Sequence, residues 1–233
     1  MARKKKQPSL FRRFLKRVIV FVLILWAASV AQVLALRFVN PPFTVSMAWA
    51  WIKNGGRFDH LPLHYSWRPL EDISPHLRKA VLAGEDQRFL SHRGFDFTEM
   101  NRAIRDMALK RGVRGASTIT MQVARTVYLW PDRTVVRKAL EAYYTVLIEL
   151  LWSKRRILEI YLNTVDWGTG IIGAEEASRK YFNLSCFAIS RSQAAMLAAI
   201  LPSPHRWSPA RPPPHVLKRR IRILRDMEKM PLV

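Results

Sequence analysis

A single cysteine in 233 residues leaves Cys186 no partner for an intrachain disulfide. The six histidines form no HExxH pattern and meet no paired cysteines, so no metal site is expected. Acids are scarce, 17 against 39 Lys and Arg, which leaves a formal net charge of +22. A surface of that sign suits an anionic partner: nucleic acid, anionic lipid or a phosphorylated substrate. Val/Ile-rich alternating runs of useful length are missing, as are internal repeats, so the chain reads as mainly α. Hydrophobic content of 49% with 24% charged residues excludes wholesale disorder. The length allows one ordinary domain and an appendage.

The charge is concentrated at one end. Residues 1–17 hold eight Lys and Arg and no acid. Val18 to Leu36 is then apolar apart from Ser29 and Gln32. Nineteen helical residues span about 28 Å, close to the hydrocarbon thickness of a bilayer. The basic tail places the N-terminus in the cytoplasm by the positive-inside rule. Ser29-Val30-Ala31 resembles a signal-peptidase site, but the apolar run continues past it and favours a retained anchor. Either way, the remaining chain lies outside the cytoplasm, which disfavours nucleic acid as the anionic partner. The expected organisation is a basic cytoplasmic tail (1–17), a transmembrane anchor (18–37), a membrane-proximal linker (38–62) and a catalytic domain (63–233). In the linker, Phe43–Ile52 is apolar and aromatic. It reads either as a lipid–water boundary segment carrying Trp49 and Trp51 or as an ordinary packing helix.

Glu85-Asp86 is the first stretch with chemical content. Ser74-Pro75 is a helix start, and a helix running to about Leu90 would flank both carboxylates with apolar side chains. Such a carboxylate suits a general base; the plainer reading pairs both acids with Arg88 and Arg93. The basic loop ending at Gly115 opens a helix expected from Thr118 to about Tyr128, with Ser117 as its cap. The exposed N–H groups there form a ready anion site. A long helix from Thr134 to Trp152 carries Arg137, Glu141, Thr145 and Glu149 at spacings of four. Periodicity alone makes that stripe a solvent face. Ser153 caps a following helix, Ala174–Phe182 resumes after the glycines at 168, 170 and 173, and Ser190 to Gln193 has capping-box form. A basic helix from Val216 to about Lys229 comes last.

Four segments together resemble the peptidoglycan glycosyltransferases of glycosyltransferase family 51, in particular their monofunctional, membrane-anchored biosynthetic members. They are Glu85-Asp86-x-x-Phe89-x-x-His92-x-Gly94, Gly115-x-Ser117-Thr118-Ile119-Thr120-x-Gln122, Arg137-Lys138-x-x-Glu141, and Lys154-x-x-Ile157-Leu158-Glu159-x-Tyr161-Leu162-Asn163. The resemblance implies a mainly α, lysozyme-like glycosyltransferase domain with one N-terminal transmembrane helix. It implies polymerisation of lipid II into glycan strands, with Glu85 as general base toward the acceptor sugar 4-hydroxyl. Inverting displacement of lipid pyrophosphate from the growing-chain donor follows. Glu141 matches the second catalytic glutamate. Asp86, Ser117, Gln122, Arg125, Arg133, Arg137 and Lys138 match substrate-binding positions.

Further expectations follow from the resemblance. No cofactor is required, with Mg or Mn as an optional stimulant. The partners are lipid II, the growing glycan chain, the bilayer and other cell-wall or cell-division proteins. The place is the bacterial cytoplasmic (inner) membrane, single-pass, with the catalytic domain on the periplasmic side. His92 and Phe89 read as scaffold, and Glu149 and Glu159 as structural. Two positions depart from the family pattern: Met121 stands where Gln is usual, and Gln193 where Glu is frequent. Two alternatives remain. One is a lysozyme-like lytic glycosidase or transglycosylase, which shares the buried-Glu logic. The other is a non-enzymatic basic membrane protein.

Overall fold

Most helices begin at a side-chain cap in this computed structural model, which describes residues 10–53, 55, 65–109, 115–132 and 134–233. It divides into two units, residues 1–39 and 40–233. In the first, helix α1 runs Leu10–Leu36, and its 27 residues are long and apolar enough to cross a membrane.

The second unit begins at Asn40. Helix α2 (Val45–Lys53), inside the stretch read as linker, packs on α5 (Ile119–Tyr128). Its companions are α3 (Pro75–Glu85), α4 (Phe97–Ala108), α6 (Val135–Leu151), α7 (Lys154–Thr164), α8 (Ala174–Phe182), α9 (Arg191–Ile200) and α10 (Pro214–Asp226). Strands β1 (Asp166–Gly168) and β2 (Ile171–Ile172) form a short antiparallel pair at the glycines after α7. Chain direction reverses there too quickly for a helix, with Gly170 at φ 72°.

The caps work by accepting the free N–H groups of each first turn. Ser74 accepts from His76, Asp96 from Glu99, Thr134 from Arg137 and Ser153 from Arg156. Ser190 and Gln193 complete a capping box, so Gln in place of Glu costs the fold nothing visible. Two boundaries differ from expectation. Helix α3 stops at Glu85, five residues early, because Asp86 turns out of helical geometry toward tertiary partners. Thr118, not Ser117, caps α5; its oxygen accepts from the Met121 N–H and its hydroxyl donates to Gly94 O at 2.6 Å.

Two packing groups build the core. Helices α3, α9 and α10 contact one another, and α5 packs between α6 and α7. Helix α9 is buried along nearly its whole length, from Ala194 to Ile200. Gly94 permits the closest approach between the segment after α3 and α6. Its φ of 87° and the 2.7 Å from an added Cβ to Thr145 Cγ2 leave no room for a side chain. The residues 65–69 that precede α3 are fastened by buried Glu175. Its carboxylate accepts from Arg68 Nη2 (3.0 Å), Arg179 Nε (2.7 Å) and the Cys186 N–H (2.9 Å).

Burial works to raise the Glu175 pKa, but these donors outweigh it and hold the carboxyl below its ordinary value. A depressed carboxyl contributes stability that is complete above the unfolded-state pKa and is lost as pH falls through the folded one. Glu175→Gln should therefore cost about 2–4 kcal/mol near neutrality. The gap to wild type should narrow below about pH 4.5, as urea unfolding at several pH values would measure.

Candidate active site

Glu85 ends α3 with its side chain 12% exposed. Gln122 Nε2 donates to Oε2 at 3.0 Å, and Arg219 Nη2 donates to Oε1 at 2.9 Å. The same Arg219 nitrogen reaches Gly84 O at 2.8 Å. Gln122 is held in turn by Tyr161, whose hydroxyl donates to Gln122 Oε1 at 3.2 Å. Burial first, and the nearby Glu85 charge second, push the Tyr161 pKa well above its ordinary value, so it stays a neutral donor. That chain orients the Gln122 amide so that its NH2 faces the carboxylate. Each carboxylate oxygen retains a second lone pair for another hydroxyl.

Asp86 behaves differently from its neighbour. It is buried, and its carboxylate accepts from His92 Nε2 at 2.9 and 3.1 Å and from the Ile119 N–H at 3.0 Å. Ile119 opens α5, so the anion site read there from the sequence is filled by the protein's own Asp86. Neither Glu85 nor Asp86 pairs with Arg88, which bridges to Asp96 at 3.2 Å. Asp86, His92 and Asp96 bring ligand-type atoms within 4.8 Å of one another, a grouping hidden in the linear pattern. Phe89 is buried beneath the Lys154 ammonium, 4.5 Å from the ring centroid.

A cavity of about 510 Å³ opens beside Glu85. Asp86, Ser117, Gln122 and Arg125 share its lining, so one place gathers five of the expected site residues. Gln122 and Arg125 lie three apart on α5 and face the same way. Thr118 does the capping, so Ser117 is left at the cavity wall. Arg219 and Arg222 of α10 also line it and were missed by sequence reasoning. No local signal marks them, since Arg219 meets Glu85 across 134 residues of chain.

Arg137, Lys138 and Glu141 do not line that cavity; they form a second cluster on α6. Arg137 Nη1 and Lys138 Nζ each reach the Glu141 carboxylate at 2.5 Å. Glu141 is 1% exposed, Arg137 7% and Thr145 0%, which overturns the solvent-face reading of this stripe. One carboxylate between two cations leaves net positive charge. Glu149 accepts from Thr120 and Lys154. Arg133 lies outside the described residues. Met121 is buried and absent from the cavity wall, so the departure from Gln removes nothing there.

The family model described as Transglycosylase matches residues 56–228. The chain belongs to the transglycosylase family. It is similar to proteins named biosynthetic peptidoglycan transglycosylase from several bacteria. That of Pseudomonas entomophila is 46% identical over 95% of this chain and 92% of its own length. That of Pseudomonas aeruginosa is 46% identical over 94% and 93%. That of Caulobacter vibrioides is 43% identical over 89% of each. The mainly helical transglycosylase domain expected from the sequence is therefore present, and with it enzyme function.

Both hydroxyl residues at the start of α5 line the cavity, but only Thr118 also caps the helix. Thr118→Ala should lower stability by about 1–2 kcal/mol through loss of the cap and the Gly94 bond. Ser117→Ala should leave the melting temperature within about 2 °C of wild type. Calorimetric melting of both variants checks the pair.

Proposed function

We propose that the chain polymerises peptidoglycan glycan strands from lipid II, with Glu85 as general base. The acceptor 4-hydroxyl gives its proton to Glu85 as its oxygen attacks the anomeric carbon of the growing-chain donor. The bond from that carbon to the lipid diphosphate breaks, with inversion, and the diphosphate leaves with the electron pair. A carboxylate in a polar cleft suits the first task. Fixed guanidinium groups suit the second, because negative charge grows on the leaving group.

The observation that carries this reading is the gathering of Glu85 with the cations Arg125, Arg219 and Arg222 in the lining of one cavity. Hydrolysis of a glycosidic bond releases no phosphate and has no use for such a wall. Gln122 orients the base, Ser117 and Arg125 face the donor, and Arg133 and Lys138 extend the phosphate contacts. Glu141, gripped by Arg137 and Lys138, steadies those cations near the leaving group. Asp86, at the cavity wall, positions α5 and Glu85 through its bonds to His92 and the Ile119 N–H. No cofactor is needed in this scheme, and Mg or Mn would assist only at the diphosphate.

Helix α1 supports a single-pass anchor in the cytoplasmic membrane. Residues 1–17 lie on the cytoplasmic side, 18–37 cross, and the domain works outside, with α2 of the stretch expected as a linker (38–62) packed on it. A substrate on a lipid carrier makes that location necessary.

Detergent-solubilised full-length protein, incubated with labelled lipid II, should yield muramidase-sensitive polymer. Glu85→Gln should reduce the rate by about 10²–10⁴-fold. Equal polymer from both proteins would remove Glu85 from its role. Shortening of preformed glycan without synthesis would support the lytic alternative instead.

A further inference from the structure

Helix α10 turns Val216 and Ile223 inward, both almost fully buried. Arg219 stands between them at helical spacing, with its side chain 28% exposed. Packing alone does not call for an arginine in an apolar row, because burying its charge is costly unless bonds offset it. The bonds it makes are specific. Arg219 Nη2 donates both to Gly84 O at 2.8 Å and to Glu85 Oε1 at 2.9 Å, which occupies its two hydrogens. The Nε–H of the same guanidinium is buried without a partner. The arrangement tolerates that orphaned donor and keeps Nη2 at the carboxylate.

Helix α3 is cut back to admit this side chain. Gly84 stands one residue before its end, and an added Cβ would lie 3.2 Å from Ile223 Cδ1 and 3.6 Å from Arg219 Nη2. Glycine is a poor helix former, so its place inside α3 serves the close approach of α10.

We propose that Arg219 is a positioning residue for the base: it fixes the direction of the Glu85 carboxylate and is not a substrate contact. One nitrogen joins the carbonyl of residue 84 to the carboxylate of residue 85. The Glu85 side chain is thereby tied to its own main chain and held in one rotamer. Gln122, oriented by Tyr161, holds the other oxygen, so α5 and α10 grip the carboxylate from two directions. The lone pairs that remain point in fixed directions, which suits proton transfer from a bound hydroxyl. With both Nη2 hydrogens occupied, the charge of the leaving diphosphate falls to the other cations of the lining, Arg125 and Arg222. The proposal rests on the reading of Glu85 as general base given above.

Full-length Arg219→Met, Arg219→Lys and, as a control on α10, Lys218→Met would be compared with wild type over a range of lipid II concentrations. Met keeps the apolar stem of the arginine and donates nothing, whereas Lys keeps a cationic donor. Arg219→Met should lower kcat about 10²-fold and leave KM for lipid II within about twofold. Arg219→Lys should recover about tenfold of that loss. Exposed Lys218 should change neither constant by more than about twofold. In a Glu85→Gln background, Arg219→Met should cost less than about twofold more, because a base already removed cannot be misplaced. A raised KM at wild-type kcat would make Arg219 a substrate contact and overturn the proposal. Unchanged kcat, equal losses from Met and Lys, full additivity with Glu85→Gln, or a melting temperature that falls in step with the rate would overturn it too. Polymerisation at full rate by Glu85→Gln defeats the general-base reading itself. Slow Glu85→Gln beside fast Arg219→Met defeats the Arg219 proposal alone.

Discussion

The carboxylate of Asp86 ties together three parts of the molecule that the sequence keeps apart. It takes the His92 ring from the turn after α3 and the first N–H of α5, 33 residues on. Buried charge is costly unless every lone pair finds a donor, so this group accepts only a narrow geometry. That geometry ends α3 at Glu85, the residue before Asp86, and leaves the Glu85 side chain in the cavity lining. It also sets α5 in register, which brings Gln122 opposite Glu85. Gly94 serves the same joint from behind, since nothing larger fits against Thr145.

The two glutamates sit in different surroundings. Glu85 meets an amide and one guanidinium in a cavity open to substrate. Glu141 is sealed by two cations and almost without solvent. A group that must exchange a proton needs access, and a group that must hold cations in place needs enclosure. The burial of each carboxylate thus agrees with a base in one case and a brace for phosphate-facing charge in the other.

Local signals made much of the fold legible. Ser74-Pro75, Thr134, Ser153 and the Ser190–Gln193 box mark helix starts through bonds within one turn, so the sequence alone suffices for them. The errors share one cause. At Asp86 and Thr118 a partner distant in sequence, His92 with Ile119 or Gly94 respectively, outbid the local preference. The polar Arg137, Glu141 and Thr145 were read as a solvent face because periodicity cannot show that they are buried and satisfy one another's bonding groups. The cavity residues on α3 and α5 were found through motif order, whereas Arg219 had no neighbouring signal and looked like any cation on a basic helix.

Arg219 and Arg222 belong to α10 and Glu85 to α3, so the cavity is closed by segments far apart in the chain. Helix α10 reaches it by packing against α3 and α9. Until α10 docks, Glu85 and Gln122 can meet without their guanidinium partner, so the finished cavity is a product of the completed fold and not of any one motif.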